Sequence, residues 1–246
     1  VEQFQRKAVV ASYINLEKQL LSFMDVVPLE SNHLNVWSPQ LVTIILEAAS
    51  QLDSLLRYCT VRKENGIFIE HASGKVNILT HYKNHKDSLS HQWVVCWGDD
   101  GYLIQPFKVW IGSKQYQQLF WWDAYNKIKH DRVTNMKLGT LRVASYVLAA
   151  LYLAIVNSLT LRRSVESSGY FNGDHCSHDI WLTCPDIADV TKDYAVIESQ
   201  LFSHPIEWCD KKVDYFDEWQ GDASMKFRDW FRRYNTHLES SRREMA

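Results

Sequence analysis

A chain of 246 residues, 46% hydrophobic and 23% charged, has the balance of one large folded domain or a domain with an appendage. Its net charge of -2 excludes a global attraction to nucleic acid, so any such attraction must come from a local patch. Five scattered cysteines, an odd number, argue against a disulfide scaffold and for a reducing compartment, and the N-terminal Val-Glu-Gln-Phe-Gln-Arg-Lys lacks an apolar signal core. The expected location is therefore the cytoplasm. The ten tryptophans promise a large core or a stacking surface, of which core is the first expectation.

Residues 4–25 read as a first helix, with Val10, Tyr13, Ile14, Leu20, Leu21 and Met24 at helical spacing and Glu17 on the same stripe. Pro28 and Asn32 mark the loop that follows. Ser38-Pro39 starts a second helix, because Ser caps well and Pro fits the first helical position. It runs to about Arg62. Ile45, Ala48, Leu52, Leu55, Leu56 and Cys59 form its inner stripe, and Asp53 and Arg57 read as a surface ion pair on its polar side.

Residues 63–92 are polar, broken by Gly66 and Gly74, and read as loop or solvated helix. His81, His85 and His91 fall there without the Cys or acidic company of a metal site. Two β-prone runs, 93–97 and 102–104, flank Gly98-Asp99-Asp100-Gly101 and predict a hairpin within about 93–105. A further helix is predicted from Lys114 to Arg132. After a break at 131–135, a long helix is expected over 136–163, with Gly139 allowing close packing at its start. Its uncharged stretch Val143–Leu161 is long enough to raise the question of a membrane span. It carries Ser145, Tyr146, Tyr152, Asn157, Ser158 and Thr160, and no second span follows, so it reads as a buried core helix and no membrane partner is expected.

Residues 165–221 read as mostly irregular. The set His175, Cys176, His178, Cys184 and Cys209 contains no C-x-x-C pair and matches no common zinc spacing, so no metal and no cofactor are assigned. Phe227, Trp230, Phe231, Tyr234 and Leu238 recur as an amphipathic C-terminal helix. The fold expectation is mainly α: a helical domain over 1–163 with the hairpin inserted, and an irregular C-terminal extension over 164–246 packed on the same body.

The stretch Trp121-Trp122-Asp123-Ala124-Tyr125-Asn126-Lys127-Ile128-Lys129-His130-Asp131-Arg132 mixes aromatic, amide, imidazole and cationic side chains more densely than any other. On a helix, Asn126 and His130 lie one above the other, and Trp122 and Val133 are expected to continue that face. From Tyr125 to Arg142 there are five Lys or Arg (127, 129, 132, 137, 142) against one acid, Asp131. Metal-free RNA cleavage needs one group to take the 2′-OH proton, one to protonate the leaving oxygen, and cations on the phosphate. Histidine can serve either proton transfer. A histidine on a helix beside a core is also commonly a packing residue, and that reading stands beside the catalytic one.

The string Tyr125-Asn126-Lys127-Ile128-Lys129-His130 resembles the motif of the HEPN superfamily ribonucleases, which run Arg, a polar residue, three residues and His. Asn126 and His130 match, and Tyr125 stands at the arginine position. Pro106-Phe107, Trp110, Trp121-Trp122 and the earlier Leu46–Ser54 stretch resemble uncharacterised bacterial HEPN-like proteins, so the resemblance covers roughly 4–163. It implies a helical bundle that dimerises through the motif helix. It further implies a metal-independent endoribonuclease of a toxin or phage-defence system, with His130 as acid/base, Asn126 positioning, and Lys129, Arg132, Lys127 and Tyr125 along the RNA. The alternative it implies is a non-catalytic module binding RNA, a nucleotide or a protein partner. Arg232-Arg233-Tyr234-Asn235-Thr236-His237 is a rival match whose Tyr234 falls on the apolar stripe of the C-terminal helix.

Overall fold

The computed structural model describes residues 3–58, 77–90, 92–96, 102–158, 161–173 and 195–206. The chain divides into two compact units, 1–178 with 196–205, and 179–195 with 206–246. Apart from the end residue of two strands, everything below belongs to the first. Outside the described residues lie the 98–101 turn, His91, the 59–62 end of the second helix, the His175–Cys209 set, the 227–238 helix and the Arg232–His237 string.

Seven α-helices stand among the described residues: α1 Gln3–Met24, α2 Pro39–Tyr58, α3 Ile78–Leu89, α4 Phe120–His130, α5 Arg132–Asn135, α6 Leu141–Val156 and α7 Arg162–Ser167. The expected long helix over 136–163 is thus divided. Asp131, at φ -147° and ψ 84°, ends α4, and its side chain accepts from the Thr134 amide at 3.2 Å to cap α5. A 3-10 turn, Met136–Leu138, follows, and Thr140 caps α6 by accepting from the Val143 amide. Gly139 is required here: a Cβ would come within 2.3 Å of Val42 Cγ2, so only glycine lets this connector press on α2.

α6 is the axis of the bundle. It packs most extensively on α2 and also meets α1, α4 and α7. All its residues but Arg142 and Tyr146 are buried. Sixteen residues long, it is a core helix, and among the described residues no helix is long and apolar enough to cross a membrane.

The region read as solvated around residue 81 is instead a packed helix. Asn77 caps α3 by accepting from the Leu79 and Thr80 amides, and His81, Tyr82, His85 and Leu89 turn inward on one face. The aromatic residues form the core beneath α4. Phe107 lies 5.0 Å from Trp110 and 5.6 Å from Trp121 between ring centroids, and the Trp121 indole donates to the Pro106 carbonyl at 2.9 Å.

The hairpin forms where expected, from β1 Val94–Cys96 and β2 Tyr102–Ile104, antiparallel with Val94 opposite Ile104. It does not end there. β3 Asn172–Gly173, β4 Ala195–Glu198 and β5 Phe202–Ile206 extend it into a five-stranded sheet of order β2-β1-β5-β4-β3. The expectation of irregular structure fails at 195–206. Pro205 does not prevent the strand, because the β5 residues registered against β1 are Phe202 and Ser203, and Pro205 lies beyond that pairing.

Buried polar contacts join sheet to helices, among them those of Glu17 and His204. Glu17 on α1, fully buried, accepts from the Tyr13 hydroxyl at 3.0 Å, the Leu201 amide at 3.1 Å and the Ser199 hydroxyl, and so holds the turn between β4 and β5. Its other oxygen has no partner in hydrogen-bond geometry, though the Tyr170 hydroxyl is near enough to favour the ionised form. Burial outweighs these donors and raises the Glu17 carboxyl above its ordinary range. The buried His204 ring donates from Nδ1 to the Trp93 carbonyl at 2.7 Å, and its Nε2 faces the Asn157 side-chain amide at 3.5 Å. That pattern fixes a neutral ring, and burial lowers its pKa to about 4.

Candidate functional site

α4 begins at Phe120, six residues later than the sequence places it, and its faces differ sharply. Trp121, Trp122, Ala124, Tyr125 and Ile128 are buried. Phe120, Asp123, Lys127 and His130 are spaced i, i+3, i+7 and i+10 and line the opposite side as one stripe. Within it Lys127 Nζ pairs with Asp123 Oδ2 at 2.7 Å, so these two charges largely cancel.

His130 closes the helix and is exposed, and Asn126, one turn back, is half-buried. The two share a side of α4, but no hydrogen bond joins them, and among the described residues none holds either side chain. Val133 does not continue this face. The helix has broken at Asp131, and Val133 stands 87% exposed on α5. Asn135 braces the break by donating to the Lys127 and Asp131 carbonyls at 3.2 and 2.9 Å. His130 therefore sits on a fixed helix end, where the dipole favours cationic groups.

The cations around it are placed differently from one another. Lys129 is exposed, and its Nζ lies 5.3 Å from the centroid of the Tyr125 ring. Arg132 is exposed and donates to Thr43 Oγ1 at 3.4 Å. Tyr125 is only 4% exposed and packs 5.3 Å from Trp122, so its ring faces the core.

A second cluster lies against the inner side of α4, and the sequence reading missed it. His81 on α3, fully buried, donates from Nε2 to Asp53 Oδ1 of α2 at 2.7 Å. Asp53 Oδ2 takes Arg57 at 3.3 Å. The His81 ring meets Trp122 edge-on at 6.3 Å, and His81 Nδ1 has no hydrogen-bond partner. Burial pulls the Asp53 carboxyl upward. The His81 hydrogen bond and the charges of His81, Arg57 and Lys129 outweigh it and hold the group below the ordinary carboxylate range. The available signal was the spacing of His81, Tyr82, His85 and Leu89, which forms a helical inner face once the histidines count as buried residues. His85 fits the same pattern, donating from Nε2 to the Leu56 carbonyl at 2.9 Å.

Among the described residues no three His, Cys, Asp or Glu side chains gather as a metal ion would require. No family model, curated protein or solved structure matches the chain. The site is therefore read from its own groups: an exposed imidazole, a half-buried amide and an exposed lysine on the end of a helix whose other side is locked in an aromatic core, with the exposed Arg132 just past the break on α5.

Proposed function

We propose that this chain is a HEPN-like module that binds RNA through the C-terminal end of α4, with Lys129 and Arg132 on phosphate and His130 and Asn126 against the strand. The observation that carries this reading is the split of α4, which leaves its basic end exposed on a rigid support while Tyr125 is turned into the core. Exposed cations held on a fixed element suit phosphate contacts. At the position where the resembled ribonucleases carry arginine, a buried phenol offers no bidentate contact, so binding without cleavage is the favoured form.

One observation favours a second form, a metal-independent endoribonuclease. His130 is exposed, and among the described residues no hydrogen bond occupies its ring, so both nitrogens are open to a substrate for proton transfer. One copy presents a single such histidine at this end. Two copies meeting through α4 would supply both proton transfers.

The test is RNA binding at two salt concentrations, with product analysis. Lys129→Ala and Arg132→Ala are expected to weaken binding and to flatten its salt dependence. Under the binding form, wild type leaves RNA intact. Under the cleaving form it yields 2′,3′-cyclic ends in EDTA, and His130→Ala abolishes this with an unchanged melting temperature. Tyr125→Arg would put a guanidinium into the aromatic core and would report stability. Lys129→Arg instead offers a guanidinium from the surface beside that ring, and a gain of His130-dependent cleavage would identify the missing group. Salt-independent RNA binding, or none, rejects the proposal.

A further inference from the structure

The far end of the α4 stripe has a different character from its basic end. Phe120 is 41% exposed, although the neighbouring Trp121 is fully buried. The Arg142 guanidinium, from the first turn of α6, lies 4.9 Å from the Phe120 ring centroid and 6.0 Å from that of Tyr146. The Phe120 and Tyr146 rings meet edge-on at 4.8 Å. Arg142 is exposed; it lies against the two rings and donates toward the Tyr146 hydroxyl, and among the described residues no carboxylate pairs with it, so its positive charge is not cancelled by a neighbouring acid. The Arg142 cation lies over a Phe120 ring that is still 41% exposed, which offers one unpaired nucleotide what it requires: an aromatic surface for its base and a charge for its phosphate. A duplex keeps its bases stacked inside and cannot use the ring.

We propose that Phe120, Tyr146 and Arg142 form a stacking platform for an unpaired base, and that single-stranded RNA runs from it along the stripe to His130. Ten residues separate Phe120 from His130, which at 1.5 Å per residue is about 15 Å, a span of a few nucleotides. Between them Asp123 and Lys127 neutralise each other, so the strand crosses the middle of the stripe without strong repulsion or attraction. The inference rests on the RNA reading above and narrows its substrate to single strands.

The experiment measures binding of the full chain to a fluorescein-labelled oligoadenylate single strand and to an RNA duplex of equal length. Phe120→Ala is expected to weaken single-strand binding about tenfold, the worth of one stacked base, and to leave duplex binding unchanged. Phe120→Trp keeps a stacking face and is expected to retain or raise affinity, which separates lost stacking from lost folding. Arg142→Lys keeps the charge but not the planar group, and is expected to lose part of the single-strand preference. Equal losses on single strand and duplex, or full affinity in Phe120→Ala while Lys129→Ala still weakens binding, would overturn the platform and leave the basic end standing. A wild type that binds neither RNA removes both.

Discussion

Two polar regions of this protein follow opposite rules. Around Glu17 the groups are inside or half-buried: a carboxylate on α1 gathers a phenol, a hydroxyl and a backbone amide from two distant parts of the chain. Along the outer side of α4 the groups reach solvent: among the described residues no hydrogen bond holds the side chain of His130 or Asn126, and the Lys129 ammonium rests near the Tyr125 ring. Buried donors need their acceptor because no water replaces it, whereas exposed groups are satisfied by solvent and can exchange it for a ligand. The first region therefore belongs to folding and the second is free for recognition.

The sharpest way to break this comparison is to exchange the two by mutation. Glu17→Ala removes the acceptor of three donors, each costing roughly 1–3 kcal/mol when left unsatisfied; because the Tyr13 and Ser199 hydroxyls keep weaker partners in Ser199 and the Phe202 carbonyl, the loss should be about 3–5 kcal/mol rather than the full sum. Glu17→Gln keeps an acceptor oxygen and should cost much less. His130→Ala, on the exposed end, should change stability by less than about 0.5 kcal/mol. Urea unfolding of the three variants decides it. Similar losses in Glu17→Ala and His130→Ala would mean that the two regions do not differ in kind.

pH sharpens the same contrast. His204 is buried and neutral, with its pKa lowered to about 4 from an ordinary 6.5. Below pH 6.5 the unfolded chain takes up a proton that the folded one refuses. The stability this group contributes is therefore complete above about pH 6.5 and is lost as pH falls toward 4. The full loss is about 3 kcal/mol. Glu17 acts in the opposite sense, since its raised pKa favours the folded state at low pH and is lost as pH rises through the folded value. Comparing wild type with His204→Gln cancels that shared titration. The wild-type curve should fall more steeply between pH 6.5 and 4. Parallel curves would show that His204 is protonated in the folded state.

What the sequence made legible follows from the kind of signal each region carries. α1, α2 and the hairpin announced themselves through periodic apolar residues, a Ser-Pro start and a Gly/Asp turn, all of them local. The interruption of 131–140 was only half-visible: Asp131–Asn135 read as a break, but the requirement for Gly139 comes from Val42, nearly a hundred residues earlier. β4 and β5 escaped because a strand of four or five residues gains its stability from partners the sequence does not show, here the hairpin, Glu17 and the Tyr152 hydroxyl on the Ile197 carbonyl. At the candidate site the polar face of the helix was legible, but the expected run to Arg132 stops at His130, and Trp122 and Val133 do not continue that face. The actual division of the helix, with Tyr125 inside and Phe120 outside, depends on what packs against it. Asp53 and His81 were read as separate surface residues because their pairing crosses 28 positions.

The smallest expected effect tests whether the α4 stripe works as one surface. Asp123 is its only acid, half-buried in the first turn of α4, accepting from Gln118 Nε2 at 2.8 Å and pairing with Lys127 at 2.7 Å. Asp123→Asn keeps the shape and removes the charge. An acid near the helix N-terminus and an i,i+4 ion pair are each worth a few tenths of a kcal/mol, so stability should fall by about 0.5–1 kcal/mol. RNA binding should move the other way. A strand passing from Phe120 to His130 brings phosphate within several ångströms of this carboxylate, and at such a separation in water one charge changes affinity by about threefold. Losing Asp123 also releases Lys127. A variant that is less stable yet binds single-stranded RNA about threefold more tightly, with the gain shrinking as salt rises, places the strand on the stripe. Unchanged affinity at low salt would place any bound RNA away from the middle of α4, and the two ends of the helix would then have to be treated as separate surfaces.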